Sequence, residues 1–164
     1  MINLAKLIIL FVAATVCHWA FASLFAQWGL SVNIMIVFVT AFCAYFKPNL
    51  AYSVVFLCGL FLDFFSTKLF GNNAFTFTLF ACLICNLVDR FDLDEIFPQV
   101  VVVFFLTWLA GLVNTLLVAV FSASNIWPGF WSLMGGAVID GLFAPFVFLF
   151  VRKVLGNSSL CRQG

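Results

Sequence analysis

Charge is what this chain has least of. Seven basic and six acidic side chains among 164 residues come to 8%, beside 66% hydrophobic residues; a water-soluble domain carries about 25% charged residues. So few charges cannot cover a soluble surface. The mean hydropathy of +1.24 makes hydrocarbon the solvent for most of the protein. The two signs nearly cancel, leaving a formal net charge of +1, so nothing in the overall charge suggests nucleic acid as a partner. One histidine is present. There is no Gly-x-Ser-x-Gly and no glycine-rich phosphate loop, so neither a nucleophile–base pair nor a nucleotide cradle is legible. His18 has no helix-borne partner of the H-x-x-x-H kind that a metal would need, and no cofactor is expected. The six cysteines are scattered through apolar runs and one tail, unlike the framework of a small secreted domain. Cys82-x-x-Cys85 lacks a second ligand pair and reads as small residues in a membrane core.

What the chain does have is long apolar runs. A spanning helix needs about 20 apolar residues. Six segments meet or approach that length: about 4–27, 30–46, 49–67, 73–89, 97–122 and 131–151. The breaks fall at Gln27-Trp28-Gly29, Lys47-Pro48-Asn49, Lys68 to Asn73, Asp89 to Pro98, and Ser122 to Gly129. The expectation is an all-α integral membrane protein, one transmembrane domain over residues 1–164. The second segment is short and contains Asn33. Trp28, Trp127 and Trp131 stand at helix ends, where an interfacial aromatic belt would put them. Residues 1–22 also read as a signal peptide with an Ala20-Phe21-Ala22 cleavage site; its removal would leave five spans and the same orientation for the rest.

Orientation follows from the basic residues. With both termini cytoplasmic, Lys6, Lys47, Arg90, Arg152, Lys153 and Arg162 fall inside and Lys68 alone falls outside. The Asn157-Ser158-Ser159 sequon is then cytoplasmic and carries no weight. No segment outside the membrane exceeds about a dozen residues on this reading, so any function is carried within the bilayer or by short loops.

Ionisable groups at membrane depth are costly and mark candidate sites. Asp63 interrupts the run Val54 to Phe65, and Asp140 and His18 sit inside two other segments. At 1.5 Å per residue all three fall in the outer half of the membrane, and with Asn33 they are expected to form one polar layer. Gly136, Ala137, Asp140, Gly141 and Ala144 share a small-residue helix face, and Gly59 stands one turn before Asp63; such faces let helices approach closely. The repeated Gly-x-x-x-Asp hints at a three-plus-three repeat. Three roles stay open for the aspartates: interhelical hydrogen bonding, partner recognition, and ion or proton translocation. A groove edged by Gly59/Asp63 or Gly136/Asp140 is one candidate docking site for a partner helix.

The stretch Gly59-Leu60-Phe61-Leu62-Asp63-Phe64-Phe65-Ser66, then Leu69-Phe70-Gly71 and Ala74, resembles the rod-shape-determining MreD family. Phe130-Trp131-Ser132, the small-residue helix through Gly141, Pro145 and the run into Arg152-Lys153-Val154 are similar to the end of such chains, and Pro48-Asn49-Leu50 lies at a comparable break. Phe70 between Leu69 and Gly71 departs from the family pattern, and no family role is carried onto Asp140 or the acidic loop 89–95. The resemblance implies a non-enzymatic scaffold or regulator of cell-wall elongation in the bacterial inner membrane. It implies MreC as the partner, with MreB, RodA and the elongation-specific penicillin-binding transpeptidase linked indirectly. It also implies a bundle like the S components of energy-coupling-factor transporters. The alternative reading is a small-solute subunit of that kind, binding a vitamin in an enclosed cavity with convergent polar groups.

Overall fold

The computed structural model describes residues 4–65, 70–88, 95–122 and 129–155. Among the described residues the chain forms six α-helices and no strand: α1 (Leu4–Ala26), α2 (Ile34–Tyr45), α3 (Pro48–Phe65), α4 (Asn72–Val88), α5 (Ile96–Ser122) and α6 (Phe130–Leu155). It is an all-α membrane protein. Lys68, Arg90, Trp127, Cys161, Arg162, the Asn157 sequon and most of the acidic loop lie outside the described residues.

The helix boundaries follow local chemistry. Pro48 occupies the first position of α3, where its missing N–H costs nothing and its fixed φ suits the helix; the Lys47 carbonyl accepts the Ala51 N–H at 2.9 Å. Gly71 and Gly129 each precede a helix with a positive φ, 89° and 86°, a conformation that L side chains resist. Their carbonyls accept the first bonds of α4 and α6, from Phe75 (2.9 Å) and Leu133 (3.2 Å).

Four helices, α1, α3, α5 and α6, are long and apolar enough to cross a membrane; α2 and α4, with 12 and 17 residues, are shorter. The second segment was expected over about 30–46, but its helix starts only at Ile34. Twelve residues cover ~18 Å, well short of a ~30 Å hydrocarbon layer. So α2 is a half-span that begins inside the protein.

It is also the hub. Every residue from Ile34 to Cys43 is buried, and α2 packs against all five other helices. A helix apolar on every side belongs in an interior. Around it the others form a ring: α3 packs on α4, α4 on α5, α5 on α6 and α6 on α1. Aromatic pairs close the ring between α1 and α3, with Phe11 against Phe61 and Trp19 against Phe65 at centroid separations of 5.0 and 5.2 Å. The outer faces of the ring are covered with exposed Phe, Leu, Ile and Val, such as Phe64, Phe105, Leu116 and Leu142, as a lipid-facing surface requires. Trp28 and Trp131 are exposed at the same end of the bundle, which the Ser31 N–H to Ser132 carbonyl contact of 3.4 Å draws together.

Two of the glycines set how closely these helices approach. A Cβ on Gly59 would lie 2.5 Å from Ala74 Cα and 2.7 Å from its N. One on Gly136 would collide with the Ser31 carbonyl oxygen and lie 2.7 Å from its carbon. Backbone cannot step aside as a side chain can. A Cβ on Gly111 or Gly135 would instead meet the movable tip of Leu133 or Leu30. Gly59→Ala and Gly136→Ala are therefore expected to lower the unfolding temperature in detergent clearly more than Gly111→Ala and Gly135→Ala. Equal losses across the four variants would contradict this packing.

Candidate functional site

Both intramembrane aspartates serve the same chemical need. The first N–H groups of a helix have no intrahelical acceptor, and in an apolar interior an unmet donor is expensive. Asp63, 2% exposed near the end of α3, accepts the Asn73 N–H through Oδ1 at 3.0 Å and the Ala74 N–H through Oδ2 at 2.9 Å. It closes the start of α4. Asp140, fully buried in the middle of α6, accepts the Asn33 N–H through Oδ2 at 2.9 Å. It holds the start of α2, where Asn33 itself makes no side-chain cap. A carboxylate at a helix N-terminus also meets the positive end of the macrodipole.

Each glycine of the two Gly-x-x-x-Asp motifs completes the arrangement by letting the capped backbone come close. Gly59 lies against Asn73 and Ala74, and Gly136 against Ser31 and Val32. The device is one, but its two uses are not copies. Tyr52, early in α3, stands beside Cys85, late in α4, so α3 and α4 run antiparallel. Asn33 meets Asp140 at the start of α2 and Tyr45 meets Phe148 at its end, so α2 and α6 run parallel. The opposite senses of approach argue against reading the shared motif as the mark of a three-plus-three repeat.

The remaining candidates stand apart in bonding. Thr76 donates to Asn114 Oδ1 at 3.1 Å, and Gly111 packs on Leu133. His18 adjoins Trp19, whose ring meets that of Phe65, two residues after Asp63, at 5.2 Å, and it lies three residues before the Phe21 that meets Phe143 at 4.6 Å. It is half-buried, with Nδ1 buried and unpartnered. The structure joins Asn33 to Asp140 and leaves Asp63 and His18 apart from them.

The small-residue faces are occupied by the chain's own backbone, so neither motif presents an open groove to a partner. A wide groove lies elsewhere, between α4 and α5, with a volume of about 920 Å³ and walls from Leu83, Asn86, Leu87, Val101, Phe105 and Leu109. Sequence reasoning missed the residues that receive the caps, Asn73, Ala74 and the backbone of Ser31 to Asn33. It also missed Thr76–Asn114 and the bond from Lys6 Nζ to the Leu155 carbonyl, 3.1 Å, which ties α1 to the end of α6. Only the polar doublet Asn72-Asn73 after Gly71 signals a helix start. Nothing local signals that Asp140 would reach Asn33, 107 residues away. No group of three His, Cys, Asp or Glu side chains suited to a metal occurs among the described residues, and no disulfide joins the described cysteines.

The arrangement defines a class: a polytopic helical membrane protein whose interior acids secure helix ends. A family model described as rod shape-determining protein MreD matches residues 1–154, and the chain belongs to that family. No curated protein and no solved structure matches it, so the likeness to S components rests on the family resemblance alone.

The two caps differ in a way that can be measured. Asp63 uses both oxygens, whereas one oxygen of Asp140 is engaged and Oδ1 has no partner. Asparagine has a single acceptor oxygen. Asp140→Asn should keep its bond and unfold in detergent close to wild type. Asp63→Asn leaves one buried N–H unmet, at a cost of about 1–3 kcal/mol. Equal stability of the two variants, or a larger loss at Asp140, would contradict the assignment.

Proposed function

We propose that this protein is a membrane scaffold and regulator of the rod-shape cell-wall elongation machinery. It binds MreC within the bilayer and is linked through it to MreB, RodA and the elongation penicillin-binding transpeptidase. The observation that carries this is membership of the shape-determining family over nearly the whole chain. The bundle supports it physically: binding falls to helix faces, because the described helices contain almost all of the described residues. The role is assembly, not catalysis, in the bacterial inner membrane.

Gly59, Asp63, Gly136 and Asp140 are proposed to act as the structural polar core that shapes this scaffold, with His18 an interior packing residue. The partner span then docks on the outside of the ring. The α4–α5 groove is the candidate surface for that role, with a volume of about 920 Å³ and a mostly apolar lining. Contacts of that kind rely on close packing and on interhelical hydrogen bonds of about 0.6–2 kcal/mol each, and Asn86 on the groove wall offers an amide for one. Lys6, Lys47, Arg152 and Lys153 share one end of the bundle, which is proposed as the cytoplasmic end under the positive-inside rule.

Depletion in a rod-shaped host should give swollen or spherical cells. Unchanged shape with a vitamin requirement would instead favour the solute-binding alternative. Filling the groove with Val101→Trp, in a protein that still folds, should reduce co-purification of MreC at least several-fold. Undiminished co-purification would remove the groove from the proposal and leave the family role standing.

A further inference from the structure

We propose that the end of the bundle formed by α1, the α2–α3 junction and α6 binds the headgroup of an anionic phospholipid. Four cations stand at that end, from three parts of the chain. Lys6 lies in the first turns of α1, Lys47 between α2 and α3, and Arg152 and Lys153 in the last turn of α6. The fold brings them together by identified contacts. Lys6 Nζ donates to the Leu155 carbonyl at 3.1 Å, and Tyr45 meets Phe148 with ring centroids 6.0 Å apart. That second contact puts Lys47, two residues on, near the level of Arg152.

Three of the four are uncommitted. Lys47, Arg152 and Lys153 are exposed and have no ion-pair partner among the described residues. The one described carboxylate outside the interior is Glu95, before the start of α5. Among the described residues, then, no carboxylate pairs with these cations. Arg152 and Lys153 also stand at the negative end of the α6 dipole, which favours cations there. Lys6 is held in place by one of its three N–H donors, leaving two directed to other acceptors.

The position favours lipid as the occupant. Inward from these cations the helix surfaces are apolar and open, with Ile9, Leu149 and Phe150 exposed by 55, 62 and 40%. A phospholipid has the matching shape: phosphate oxygens at the level of the cations and acyl chains along the apolar surface below. Juxtamembrane Lys and Arg clusters attract anionic headgroups by about fivefold in affinity for each cation near the surface. Arginine adds paired N–H donors suited to phosphate.

The test uses the full-length protein in mixed micelles containing equal cardiolipin and phosphatidylcholine, with retained lipid read by native mass spectrometry. Wild type should retain cardiolipin over phosphatidylcholine by tenfold or more, a preference that weakens as salt is raised. Lys47→Gln/Arg152→Gln/Lys153→Gln should reduce that preference at least tenfold while melting as wild type does. Lys47→Arg/Arg152→Lys/Lys153→Arg should preserve it. Lys6 is left unchanged because it also secures the end of α6. Equal retention of the two lipids by wild type, or no loss in the glutamine variant, would overturn the proposal. So would complete displacement of cardiolipin by soluble polyglutamate at micromolar concentration, which would identify an acidic polypeptide as the occupant.

Discussion

A helix that begins inside an apolar medium must find acceptors for its first N–H groups, and the organisation of this protein answers that constraint. In water the solvent would meet them. Within a bilayer each unmet group costs several kcal/mol, so irregular backbone at depth is tolerated only where protein or water satisfies it. The segment from Gly29 to Asn33 leads into α2 along the inner face of α6, and the Asp140 carboxylate receives the Asn33 N–H. A buried acid and a buried helix start, each costly alone, offset one another. The same logic operates at the start of α4, where Asp63 receives two N–H groups.

From that arrangement the rest of the architecture follows. A half-span helix anchored at its start can sit wholly among other helices, and the five others enclose α2. The outer ring is then free to be apolar toward lipid, with exposed Phe and Leu on every side. Among the remaining buried polar groups, Thr76 pairs with Asn114 across helices and Thr40 bonds the Ile36 carbonyl of its own helix. A shape-determining scaffold built this way would present to its partners the outer faces of long helices, the α4–α5 groove among them, and short connections at either surface.

Much of this was legible in the sequence. The apolar runs and their Gly and Pro breaks located all six helices, because composition and chain length alone decide whether a segment suits hydrocarbon. The Gly-x-x-x-Asp motifs singled out Gly59, Asp63, Gly136 and Asp140, and through them the family. Three things were not legible. The late start of α2 depends on Asp140, and that pairing across 107 residues leaves no local signal. Which polar groups meet depends on how far neighbouring helices slide past one another, which residue counting along single helices cannot supply. The enclosure of the small-residue faces was also hidden, since a face suited to a partner helix is equally suited to the chain's own backbone.

Hydrogen–deuterium exchange of the protein in lipid nanodiscs, resolved to the α2 segment, tests the central claim most directly. The Asn33–Cys43 amides should be among the slowest in wild type. In Asp140→Ala the first turn of α2 should lose protection while α5 keeps its own. Rapid exchange across α2 in wild type, or an unchanged α2 in the variant, would contradict a buried half-span helix held at its start by Asp140.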